Sequence, residues 1–83
     1  MPQRIFFDAL AKAQLRSLDK EIAMRILIAL TRLLNLNEGD VKKLEGYDPP
    51  QYRLRVGDYR VRFYRADDTL RVIAVKHRRE AYR

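Results

Sequence analysis

The period of the apolar residues changes near residue 50, and that change limits the fold of this 83-residue chain more than any other feature. Before it, apolar side chains recur every three or four positions. After it, they alternate strictly with charged ones. Ala11, Leu15, Leu18 and Ile22 follow helical spacing behind Asp8, a good N-cap residue. Ile22, Ile26, Leu30 and Leu33 form a second stripe, with Ser17 or Asp19 as its cap and Glu21 or Ile22 in the opening turn. Met24, Leu27 and Leu34 broaden that stripe, so this helix is expected to be buried on more than one side. The spacing predicts two helices, 8–17 and 19–35, meeting as a hairpin behind a short strand at 3–7. Asn35, Asn37, Gly39 and Asp40 then end the helical half. Val41 to Leu44 reads as a further turn, and Gly46-Tyr47-Asp48-Pro49-Pro50 as a loop that no helix can cross.

From Tyr52 the period is two. Tyr52, Leu54 and Val56 alternate with Arg53 and Arg55, and Tyr59, Val61 and Phe63 alternate with Arg60, Arg62 and Tyr64. Gly57-Asp58 between them suits a two-residue hairpin turn, with glycine supplying the positive φ. Ala66 to Thr69 forms the next turn. Leu70 to Val75 is apolar on both faces and so belongs inside the sheet rather than at its edge. The predicted fold class is α+β. An N-terminal strand and a helical hairpin precede an antiparallel β-meander with a basic tail, and the helices pack on one sheet face. Residues 1–83 are expected to form one domain, since the chain is too short for two cores.

With the hairpin turn at Gly57-Asp58, Val56 pairs with Tyr59, Arg55 with Arg60, Leu54 with Val61, and Arg53 with Arg62. Four arginines then share the face away from the helices. Like charges directly opposite each other destabilise a sheet by up to about 1 kcal/mol per pair. A face with no use for such charge would be better served by mixed signs or threonine. The charge distribution repeats the point. Residues 52–83 carry ten basic and four acidic side chains, a net of +6, out of +7 for the whole chain. Nine of the ten are arginine, whose planar fork suits bidentate binding of phosphate or carboxylate. A polyanionic partner is expected.

Other chemistries are excluded by what is missing. The chain has no cysteine, so it has no disulfide framework, thiol nucleophile or thiolate metal site. Its one histidine, His77, cannot build a histidine metal cluster, and no cofactor is expected. No apolar run approaches the roughly 18 residues of a membrane span, and no signal-peptide core is evident, so a cytoplasmic location is expected.

Three segments together resemble the RelE/ParE superfamily of toxins from type II toxin–antitoxin modules. They are Asp40-Val41-Lys42-Lys43-Leu44-Glu45-Gly46, Tyr52 through Val61, and His77-Arg78-Arg79-Glu80-Ala81-Tyr82-Arg83. The resemblance covers the whole chain in the same element order. It implies a RelE-like fold, a cognate antitoxin partner in a hetero-oligomeric complex and, for the RelE branch, ribosome-dependent cleavage of mRNA without a metal. By that resemblance the catalytic residues are Arg53, Arg55, Arg60, Arg78 and Tyr82, with Arg79 an alternative to Arg78. Arg62, His77 and Arg79 are the expected RNA contacts. The chemistry is transesterification, in which a ribose 2′-hydroxyl attacks the adjacent phosphate and expels the 5′-oxygen. Arginines stabilise the phosphorane charge, and Tyr82 stacks on a base or moves a proton. His77 is the other candidate for proton transfer, since its unperturbed pKa lies near neutrality. Arg53 and Arg55 stand where the superfamily's best-known members have lysine. Arginine can stabilise charge there but is a poor base. Two further readings are a ParE-like gyrase inhibitor without nuclease activity, and a nonenzymatic nucleic-acid-binding or inactivated toxin.

Overall fold

A computed structural model describes residues 4–66 and 68–81. The chain runs β1 (Arg4–Phe7), α1 (Ala9–Arg16), α2 (Lys20–Leu36), β2 (Asp40–Lys43), β3 (Tyr52–Val56), β4 (Tyr59–Ala66), β5 (Thr69–His77) and a single helical turn, α3 (Arg78–Ala81). The strands form one sheet in the order β1-β5-β4-β3-β2. β1 lies parallel to β5, and every other neighbouring pair is antiparallel. The α+β class, the helical hairpin, the meander and the interior position of β5 all match expectation.

Two features differ from it. Residues 40–43 form an edge strand on β3, where a helical turn was expected. All four of its residues are exposed, so its own side chains carry no alternation. Pairing to β3 makes it a strand. α2 is buried on one side only: Ile26, Leu30, Leu33 and Leu34 are buried, while Met24, Ile28 and Leu36 are 49%, 51% and 60% exposed. The basic tail continues from β5 as a helical turn at residues 78–81.

The helix ends use little side-chain capping. Asp8 precedes α1, but its carboxylate makes no cap hydrogen bond and instead accepts from Arg71 Nε at 2.7 Å. That hydrogen bond, then the charge behind it, raises the already high pKa of Arg71. Ser17 closes α1, its hydroxyl donating to the Gln14 carbonyl at 2.7 Å. Asn37 ends α2 in the left-handed region at φ 55°.

The core lies between α2 and the sheet, where Leu54, Val61, Phe63, Leu70, Val72 and Val75 meet the buried side of the helix. Each such side chain, fully buried, contributes about 1.5–3 kcal/mol. Ala11 lets α1 approach the same core. Among the described residues no helix is long and apolar enough to cross a membrane.

Candidate functional site

The turn Gly57-Asp58 sets the site. Gly57 sits at φ 57°, a conformation that favours glycine, and the two-residue loop locks β3 against β4. The resulting pairs are Val56 with Tyr59, Arg55 with Arg60, Leu54 with Val61 and Arg53 with Arg62. Residues directly opposite each other share a face. Leu54 and Val61 face the helices, so the four arginines face away from them, as the alternation requires. Neighbouring strands extend both rows. Lys42 on β2 stands beside Arg53, and Lys76 on β5 stands beside Arg60.

An irregularity in β5 decides which side chains join this face. Arg62 lies opposite Ala74, but Phe63 lies opposite Val72, so Ile73 is an extra residue on β5. A β-bulge of this kind inverts the alternation beyond it. Before it, Leu70 and Val72 face the helices. After it, Val75 and His77 do, while Ala74 and Lys76 turn to the arginine face. Gln14 of α1 reaches this segment, its Oε1 accepting from the Val75 N–H at 2.7 Å.

Together these side chains line a pocket of about 260 Å³ in which Arg53, Arg60, Arg62 and Lys76 meet Leu44, Glu45, Tyr47 and Ala74. The arginines are not a solvated fringe. Arg60 is only 8% exposed, and its Nη1 donates to the carbonyls of Gly57 (3.1 Å) and Tyr59 (3.0 Å). The Arg62 guanidinium is gripped from two sides. Its Nη2 donates to Gln51 Oε1 at 2.5 Å, and its central carbon lies 4.9 Å from the centre of the Tyr47 ring. Buried Gln51 in turn donates to the Tyr64 hydroxyl at 3.0 Å. The Nε groups of Arg60 and Arg62 are buried with no hydrogen-bond partner among the described residues. A buried donor left so costs about 1–3 kcal/mol, a cost that an incoming anion can remove.

The other expected site residues divide into three groups. Arg55 shares the face but is exposed and outside the pocket lining. Arg78 and Arg79 are exposed on α3. Arg78 is drawn to the hairpin turn, its N–H donating to the Asp58 carbonyl at 2.6 Å and its Nε 3.9 Å from the Asp58 carboxylate. That places Arg78 at the same end of the sheet as Arg55 and Arg60. His77 is on the opposite face: it pairs with Tyr59, and their rings meet edge to face at 5.3 Å. Its Nδ1 also accepts from the Arg79 N–H at 3.3 Å. Tyr82 lies outside the described residues.

Four contributors were not expected from the sequence. Lys76 needs the bulge to reach the pocket. Glu45, Tyr47 and Gln51 arrive on the loop that the Leu44 N–H closes on the Gln51 carbonyl at 2.9 Å. Glu45 is the one carboxylate in the lining. Among the described residues, no group of three or more imidazole or carboxylate side chains is placed to hold a metal ion.

The fold and sequence have clear relatives. A RelB–RelE antitoxin–toxin complex from Methanococcus jannaschii contains a chain with 30% identity and a TM-score of 0.74, covering 93% of this chain and 94% of the other. The archaeal RelE–RelB complex from Pyrococcus horikoshii gives 30% identity and a TM-score of 0.75, over 96% and 99% of the two chains. Isolated RelE toxin from E. coli shares the fold at 23% identity, with a TM-score of 0.72 over 98% and 92%. No curated protein matches the sequence significantly. Residues 5–82 match the family model of the ParE toxin of the type II toxin–antitoxin system, parDE. The chain is therefore a toxin of the type II toxin–antitoxin class and belongs to the RelE/ParE family.

Proposed function

We propose that residues 1–83 act as one toxin domain that cleaves mRNA on the ribosome, in the cytoplasm, and that an antitoxin protein holds it inactive in a hetero-oligomeric complex. The observation that carries this reading is the pocket itself. Arg53, Arg60, Arg62 and Lys76 surround one space, and Arg60 offers it a buried donor that no described residue uses. Like charges are gathered there at a cost to the sheet, which an anion would offset.

In the reaction a ribose 2′-oxygen attacks phosphorus and loses its proton, the P–O5′ bond breaks, and the 5′-oxygen takes up a proton. The products are a 2′,3′-cyclic phosphate and a 5′-hydroxyl. Arg53, Arg60 and Lys76 hold the phosphate and its developing charge, with Arg55 and Arg78 at the open end of the sheet. Arg62 and Arg79 contact the RNA on either side. Tyr82 orients the nucleotide or moves a proton. Glu45 supplies the one proton acceptor in the lining. His77, packed against Tyr59 on the other face, serves as an RNA contact only for a strand that passes over the end of the sheet.

The second reading, a gyrase inhibitor, is favoured by the match to the ParE toxin family. One experiment decides between them. Purified toxin is given to translating ribosomes, and mRNA is examined for fragments ending in 2′,3′-cyclic phosphate. In parallel, the toxin is given to DNA gyrase and supercoiling is followed. Truncated mRNA with normal supercoiling supports the nuclease, and the converse supports the gyrase inhibitor. A chain active in neither assay is a nonenzymatic or inactivated toxin.

A further inference from the structure

We propose that Tyr47 is a stacking platform for a nucleobase, so that the basic pocket takes a whole nucleotide of single-stranded RNA rather than a bare phosphate. The proposal rests on the reading of this pocket as an RNA site. The Tyr47 ring lies against the Arg62 guanidinium at 4.9 Å, yet the residue is 42% exposed. An aromatic residue left this open, on the wall of a cationic pocket, has ring surface to offer a second flat partner. The ring is also held in place. Its loop is closed by the Leu44–Gln51 backbone hydrogen bond, and Gln51 fixes the guanidinium on which the ring rests.

The rest of the lining fits the same ligand. Leu44 and Ala74 bring apolar surface beside Tyr47, which a phosphate alone would not need and a base would. At about 260 Å³ the pocket is smaller than the roughly 300–1,000 Å³ of drug-sized sites, a scale that suits a single nucleotide. Stacking on an aromatic ring tolerates any base, because every base has a π-face. The ring would thus set where the strand lies while the cations set where it reacts.

The test uses the full chain and a short 2′-O-methyl oligoribonucleotide, which cannot undergo the transesterification. One base is 2-aminopurine, whose fluorescence falls on stacking, and an abasic backbone of the same length is the control. Wild type and Tyr47→Phe are expected to quench the probe and to bind it within about twofold of each other. Tyr47→Ala should lose the quenching and bind roughly 5- to 150-fold more weakly, while binding the abasic strand as wild type does. Equal affinity and equal quenching in Tyr47→Ala would overturn the platform and leave the RNA pocket standing. Failure of wild type to bind the base-containing strand at low salt would overturn both.

Discussion

Arg60 lies almost wholly inside the protein, with one guanidinium nitrogen shared between two carbonyls of the hairpin turn and its Nε unused by any described residue. A side chain so placed has two roles that a substitution can separate. Arg60→Ala loses the two turn contacts and relieves the repulsion from Arg55, so the net loss of stability should be about 1–2 kcal/mol. If the pocket binds a phosphorane, the same change should lower mRNA cleavage by about 10²–10³. Urea denaturation and a ribosome cleavage assay measure the two effects independently. A folded Arg60→Ala protein with parental cleavage would sink the phosphate role. Arg62 is different, because Gln51 and Tyr47 fix its position.

At the scale of elements, β5 carries the feature that most shapes the site. Its extra residue, Ile73, lets Leu70, Val72 and Val75 all reach the core while Lys76 turns outward. Deleting Ile73 would leave Val72 followed directly by Ala74 in regular alternation, with Val75 still inward and Lys76 still on the arginine face. The deletion should therefore cost no more than the roughly 1 kcal/mol of an average substitution. A loss several times larger in urea denaturation would mean that the pairing beyond Ala74 depends on the bulge itself. The same feature marks where the sequence ceased to be legible. The arginine faces and the β3–β4 register could be read because strict alternation and one glycine turn determine them. The bulge could not, because an apolar run such as Val72 to Val75 looks the same with either phase. That is why His77 was expected beside the arginines and stands behind them. β2 was illegible for a related reason, since Asp40–Lys43 has no pattern of its own and is a strand only through β3. Tyr47, Glu45 and Gln51 come from a loop whose path depends on tertiary packing, which local propensity does not encode.

On the scale of the whole molecule, the positive surplus is concentrated in the second half of the chain. The +6 surplus of residues 52–83 includes the arginine face, whereas exposed Met24 and Ile28 lie on α2. An antitoxin that covers the cationic pocket would bring acidic residues to it, and the attraction would be screened by salt. Association of toxin and antitoxin should therefore slow markedly between low and physiological ionic strength, with a smaller change in the dissociation rate. Stopped-flow mixing at several salt concentrations measures both rates. An association rate indifferent to salt would place the interface away from the pocket.

The order of the strands also has a consequence in time. Among the described strands β5 comes last in the chain, yet it sits between β1, which comes first, and β4. A nascent chain that has reached only Asp68 holds two unpaired strand edges and no shared partner for them. Sheet closure must wait until β5 itself has been made, since the longest loop in the topology closes last. Stalled chains ending at residue 68 should be digested readily by protease, and chains extended past residue 77 and clear of the ribosome should resist. Assembly of the pocket waits as well, because Lys76 arrives on that same strand. If the proposed pocket carries the activity, the toxin should be harmless until β5 has joined the sheet.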